Sequence, residues 1–294
     1  MIYHVRHSTR YSYGSAVDLA SQMLHLRPRP LPWQHVRCER LLAMPQPARW
    51  RDGLDHFGNR VTWLFLDHSH SAFEVTSEAV VEVRFPEPPP APATPPWEMV
   101  AEAVRLGDPR ALEAAEYVFA SPMVPASAAL RAYAAPSFPP GRPVLEALLD
   151  LNARIRREFA FRAGVTTLAT PISQVLERRE GVCQDFTHLM LGALRALGLP
   201  GRYVSGYIRT RPPPGLECRR GADQSHAWVG CWLGPEHGWV DLDPTNGVAV
   251  HEEHVVLAWG RDYGDISPVR GVILGGGAHS LHVEVELEAL QAVA

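Results

Sequence analysis

The chain has no lysine, and all 28 of its basic residues are arginine. One explanation is chemical, the absence of any lysine amine that could be modified. A genome biased towards arginine and alanine explains the same fact without function, and is the expectation adopted. Long apolar runs are also missing. No stretch approaches the length of a membrane span, and Met1 to His7 lacks the extended apolar region of a signal peptide, so a cytoplasmic protein is expected. Net charge is −4 with no basic run, which argues against nucleic acid or an anionic membrane as a partner. The four cysteines, Cys38, Cys183, Cys218 and Cys231, contain no CxxC pair, so neither a zinc site nor a small disulfide scaffold is expected. No acidic loop has EF-hand spacing. Gly275-Gly276-Gly277 lacks the strand-to-helix setting of a nucleotide loop and reads as a flexible turn. His251-Glu252-Glu253-His254 fits neither zinc-protease helix pattern and reads as a solvated segment at an element boundary. No cofactor or metal site is expected.

What is present describes an ordinary globular protein, with 46% hydrophobic and 20% charged residues over 294 positions. Residues 1–85 alternate apolar and polar in short runs separated by Pro and Gly turns, predicting an N-terminal β domain. Pro86 to Pro92 reads as a stiff extended linker, which with a helical stretch from about Trp97 to Tyr133, broken near Ser121-Pro122, fills 86–143. A core of 144–250 opens with a helix over Val144–Phe159. A C-terminal segment, 251–294, ends in the cleanly alternating Leu281–Leu287, a strand able to pair with the N-terminal β domain.

The chemistry concentrates in three places. From Phe186, apolar residues recur at Leu189, Met190, Ala193, Leu194 and Leu197, the series of a helix with one buried face, and Gly198 and Pro200 end it. Cys183 therefore falls in the first turn, where unpaired N–H groups and the positive end of the helix dipole favour a thiolate and suit an oxyanion. Asp185 and His188 point elsewhere on that helix: Asp185 reads as a first-turn acid, His188 as a structural or surface histidine. The run Ser225–Leu233 alternates as a strand with His226, Trp228, Gly230 and Trp232 on one face. Gly234–Gly238 is turn chemistry. The next strand puts Trp239, Asp241 and Asp243 on one face, so a hairpin brings one aspartate near His226. Spacing leaves Asp241 and Asp243 both open. A helix-start cysteine, a strand histidine and a strand-end carboxylate are the parts of covalent acyl transfer.

Four blocks carry a resemblance: Gly181-Val182-Cys183-Gln184-Asp185-Phe186-Thr187-His188-Leu189, Arg202-Tyr203-Val204-Ser205-Gly206-Tyr207, Ser225-His226-Ala227-Trp228, and Asp241-Leu242-Asp243-Pro244-Thr245-Asn246-Gly247. Together they resemble the bacterial transglutaminase-like family. Gly260–Val269 resembles the segment after that family's core, and His7–Tyr13, Leu26–Arg29 and Asp55–Asn59 resemble its N-terminal β domain. The resemblance implies an α+β, papain-like core, a nucleophile helix packed on an antiparallel sheet, and a triad of Cys183, His226 and Asp243. It implies a peptide or protein substrate attacked at an amide through a thioester. Water as acceptor makes a peptidase or amidase, an amine acceptor a transglutaminase, and hydrolysis is the expectation. Arg209–Gly215 is read as a cleft-lining or plain surface loop. A catalytically silent binding module on this fold and an arylamine acetyltransferase are the rival classes; the intact triad and the N-terminal β domain argue against them in turn.

Overall fold

A computed structural model describes residues 1–209 and 224–290. Five strands come first: β1 (Ile2–Leu24), β2 (Gln34–Met44), β3 (Arg49–Leu54), β4 (Arg60–Leu66) and β5 (His70–Val83). Helices α1 (Trp97–Arg105), α2 (Leu112–Ala115), α3 (Ala128–Ala134) and α4 (Val144–Glu158) follow. Then come β6 (Ala160–Phe161), α5 (Ile172–Arg178), β7 (Glu180–Gly181) and α6 (Cys183–Ala196). The remaining strands are β8 (Gly201–Ile208), β9 (Gln224–Trp232), β10 (Trp239–Asp243), β11 (Val248–Ala249), β12 (His254–Gly260), β13 (Val269–Gly275) and β14 (His279–Leu290).

Among the described residues, two antiparallel sheets hold all the strands except β6 and β7, which form a small parallel pair. One has the order β2-β5-β1-β4-β3, with β13 and β14 also paired to β1. The other runs β11-β10-β9-β8-β12. The long β1 spans the first sheet because its pairing changes midway: Ser12 lies opposite Ala72 but Val17 opposite His70. On its other edge β14 pairs with Ile2–Tyr13 and β13 with Val17–Leu24. The turn joining these two edge strands is Gly275-Gly276-Gly277, all with φ between 59° and 97°. Side chains are strained in that region, and a Cβ on Gly275 would lie 2.5 Å from the Ala16 carbonyl oxygen.

The papain-like α+β architecture expected from the sequence is present: α6 packs on β8 and β9 of the five-stranded sheet. That sheet reaches beyond 144–250, because His254–Gly260 forms its edge strand beside β8. The chain's last strand, predicted at Leu281–Leu287, lies in the first sheet. One apolar cluster joins both parts, packing Tyr3, Val5, Val81, Val285 and Leu287 with Leu151, Leu189 and Met190. The N-terminal sheet is seated against the five-stranded sheet, with β14 meeting β8 and β9 and β5 meeting β12.

Candidate active site

Cys183 is the first residue of α6 and half-buried. Its helix start is fixed by a neighbour. Asp185 accepts the Val182 N–H at 2.8 Å and the Thr166 hydroxyl at 2.7 Å, so the first-turn acid reaches back to hold the entry of the helix. Gly181 gives this carboxylate room, since a Cβ there would lie 2.8 Å from Asp185 Oδ2. The remaining first-turn N–H groups and the dipole favour negative charge at the sulfur.

His226 lies on β9, buried, with Gly206 of β8 directly opposite. Its Nε2 is 2.7 Å from Asp243 Oδ2. Cys183 lines the same cavity as His226, and with Nε2 engaged by Asp243 the imidazole has Nδ1 left for a further partner. Burial alone would push the imidazole towards neutrality; the interactions with Asp243 and then Cys183 outweigh it and raise its pKa to about 10.

Asp243 ends β10 and is 0% exposed. Burial would raise its pKa, but donated hydrogen bonds from His226 and His254 reverse that and hold it well below the carboxylate range. The Asn246 side chain adds a bond of 2.6 Å to Oδ2, and the Thr245 and Asn246 backbone N–H groups reach Oδ1 at 2.9 and 3.2 Å. Asp241, the other aspartate the spacing left open, goes elsewhere. Its Oδ2 accepts the Trp228 indole N–H at 3.0 Å, and its Oδ1 lies 3.6 Å from the buried Arg202 guanidinium.

His254 departs from its expected setting. His251 and Glu252 are exposed, but His254 is 0% exposed, and its Nε2 lies 3.3 Å from Asp243 Oδ2. It opens β12, and the apolar run Val255–Trp259 that follows was the available signal for its burial. The ligand atoms of His226, Asp243 and His254 lie within 4.8 Å of one another, close enough to hold a cation. The N–H donors shared on Asp243 account for this grouping without one. His188 is buried on α6 and accepts the Tyr263 N–H at 3.3 Å; burial lowers its pKa to about 4. Residues 210–215 of the arginine- and proline-rich loop, and Cys218, lie outside the described residues. Cys38, Cys183 and Cys231 are free thiols.

Cys183 and His226 both line a cavity of about 370 Å³, walled by Tyr203 and Tyr263 on one side and by His7, Thr9 and Tyr11 of β1 on the other. Gln184 borders this cavity and a neighbouring one of about 490 Å³ lined by Met123, Leu130, Ile172 and His188. The start of α6 thus stands at the junction of two hollows.

A thiol at a helix start beside an imidazole and a buried carboxylate, on an antiparallel sheet, places the molecule among papain-like, transglutaminase-like folds. Residues 3–82 match the bacterial transglutaminase-like N-terminal region, and residues 131–244 match the transglutaminase-like superfamily. The chain belongs to the bacterial transglutaminase-like family. An uncharacterised Mycobacterium tuberculosis protein is 38% identical over 98% of this chain and 92% of its own length. A Pseudomonas aeruginosa protein-glutamine gamma-glutamyltransferase is 38% identical over 76 residues, 26% of this chain and 11% of that protein. Among solved structures, a candidate cysteine protease from Cytophaga hutchinsonii superposes with a TM-score of 0.73 at 21% identity, over 99% of this chain and 92% of that one. This last likeness is one of fold.

Proposed function

We propose that the protein is a cysteine acyl-transfer enzyme acting on peptide or side-chain amides, with Cys183 as nucleophile, His226 as acid and base, and Asp243 as the carboxylate that orients it. The observation carrying this reading is the His226 ring, which lines one cavity with Cys183 and is bonded at 2.7 Å to a fully buried Asp243. The imidazolium of His226 then persists through the neutral range, where it would stabilise negative charge on the sulfur during attack.

The cycle follows from these atoms. The Cys183 thiolate attacks the amide carbonyl, forming the S–C bond. First-turn N–H groups of α6 receive the oxyanion. As the C–N bond breaks, His226 gives its proton to the departing amine, leaving a thioester and a neutral imidazole. Water enters, His226 takes its proton, the O–C bond forms, and the S–C bond breaks to release the acid and restore the thiolate and imidazolium. An amine in place of water gives a new amide by the same steps. The Pseudomonas aeruginosa segment, from a protein named as a transferase, favours this second outcome; water is the acceptor we propose as the default.

The test is the pH dependence of Cys183 alkylation by iodoacetamide, read by peptide mapping, with His226→Ala as control. Rapid labelling at pH 6–7, at least about tenfold faster than an ordinary thiol with a pKa of about 8.5 allows, and its loss in the variant, is the expected result. Labelling that rises only near pH 8–9 in both proteins would remove the activated pair and leave a silent binding module.

A further inference from the structure

One wall of the reactive cavity belongs to the N-terminal sheet rather than to the catalytic sheet. In β14, Leu281 lies opposite Tyr11, Val283 opposite Thr9 and Val285 opposite His7, so these pairs share one face of the sheet. The stripe Leu281, Val283, Val285 and Leu287 is apolar throughout, while the other face of the strand carries Ser280, His282, Glu284 and Glu286. Burial explains only half of it. Val285 and Leu287 are 2% and 6% exposed in the shared core, but Leu281 and Val283 are 54% and 44% exposed. These two leave the core and line the cavity that holds Cys183 and His226. Tyr11, Tyr203, Tyr263, Pro268 and Val269 line the same space with the neutral polar Thr9, Gln184, Ser205 and Ser225, and none of the described lining residues is an aspartate, glutamate or arginine. The other histidine there, His7, is buried, and burial lowers its pKa to about 4, so it stays neutral at neutral pH.

We infer that this shelf, centred on Tyr11, Leu281 and Val283, is the subsite that selects the acyl donor, and that it takes an aromatic or branched apolar group next to the scissile amide in preference to a charged one. The inference rests on Cys183 being the nucleophile. A charged donor group would be desolvated against Leu281 and Val283 with no counter-charge among the described lining residues, whereas an aromatic one buries area there and meets the ring of Tyr11. The N-terminal β domain thereby acquires a role in choosing substrate.

The experiment compares alkylation of Cys183 by iodoacetanilide and by iodoacetamide, which present the same reactive carbon with and without an aromatic ring. Work at pH 9 ionises even an ordinary thiol, so the comparison holds whether or not His226 activates the sulfur. Peptide mapping reads each rate, and the ratio at Cys183 is divided by the ratio at the exposed Cys38 of the same molecule. The shelf predicts a normalised ratio of about ten or more. Tyr11→Ala and Leu281→Thr should each reduce it to about two or less. Val272→Thr, on β13 at 76% exposure and outside the cavity, should leave it unchanged. Leu281 is solvent-exposed, so its variant remains informative if Tyr11→Ala fails to fold. A ratio near one in the parent protein, or a high ratio kept in Leu281→Thr, would overturn the subsite. The pH profile with iodoacetamide alone separately decides the reactive pair.

Discussion

Asp241 and Asp243 are two residues apart on one strand, share a face and are both buried, yet they meet different partners. Asp241 receives an indole N–H and sits beside a guanidinium that is always charged, so its partners have no proton to exchange near neutral pH. Asp243 receives two imidazoles, and imidazole is the side chain whose charge changes in the working range. Partner chemistry, more than depth or position, separates a structural carboxylate from one suited to catalysis. The distinction also explains their surroundings. Arg202 has its guanidinium 4.4 Å from the Trp239 ring centre and 3.8 Å from that of Trp259, forming a packed cation–aromatic block beneath the sheet. Asp243 sits instead at the end of its strand, where the Thr245-Asn246 turn can donate to it.

The largest expected effect breaks the two aspartates apart. Asp243→Asn should lower kcat/KM on an amide substrate by on the order of a thousandfold, because an amide can present the wrong hydrogen-bonding partner to His226 and removes the charge that stabilises imidazolium. Asp241→Asn should keep turnover within a few fold but cost about 3 kcal/mol or more of stability, since Arg202 is left buried without its counter-charge. Denaturant unfolding and steady-state kinetics on both variants decide the matter. Equal catalytic losses would mean that the two carboxylates act as one network.

Much of this was legible in the sequence because the signals were local. The helix from Cys183 and the strands bearing His226 and Asp243 each show their period within ten or so residues, and the N-terminal sheet shows it in alternation. The choice between Asp241 and Asp243 was not legible from spacing. It depends on the placement of the imidazole relative to the β9–β10 register, in which Asp241 lies opposite Gly230 and Leu242 opposite Val229. His254 was missed for a related reason. Its run of polar neighbours, His251-Glu252-Glu253, suggests solvent, and only the edge pairing of β12 with β8 carries it beneath Asp243. The apolar wall of Leu281 and Val283 was visible as a strand, but its position beside Cys183 required contact between segments some hundred residues apart.

A smaller effect contrasts His226 with the buried histidines that lack a carboxylate partner. Burial lowers the pKa of both His7 and His188 to about 4, whereas that of His226 is raised to about 10. The signs are opposite. His7 and His188 contribute stability above the unfolded value of about 6.5, and lose it as pH falls through 4, because the unfolded chain binds protons that the folded one refuses. His226 contributes below about 6.5 and loses its share as pH rises towards 10. Urea unfolding at pH 7 and pH 4.5 should therefore show an acid loss on the order of 2–3 kcal/mol from each buried neutral histidine. His188→Gln should remove part of that slope, and an unchanged slope would place the acid sensitivity elsewhere.

The smallest effect concerns His254, the second imidazole on Asp243. Its N–H competes with that of His226 for Oδ2, 3.3 Å against 2.7 Å, so it draws off part of the carboxylate's charge. Its Nδ1 has no hydrogen-bond partner, and replacing the ring leaves no donor stranded on that side. His254→Phe should then concentrate the charge of Asp243 on His226 and raise the imidazolium pKa further. The alkaline limb of kcat/KM, expected near pH 10, should move up by roughly half a unit to one unit while the plateau changes only about threefold. His254→Gln keeps a donor and should return the limb towards its original position. A merely structural role predicts instead a lower plateau in both variants with the limb unmoved, because loosened packing does not distinguish a donor from a hydrocarbon edge.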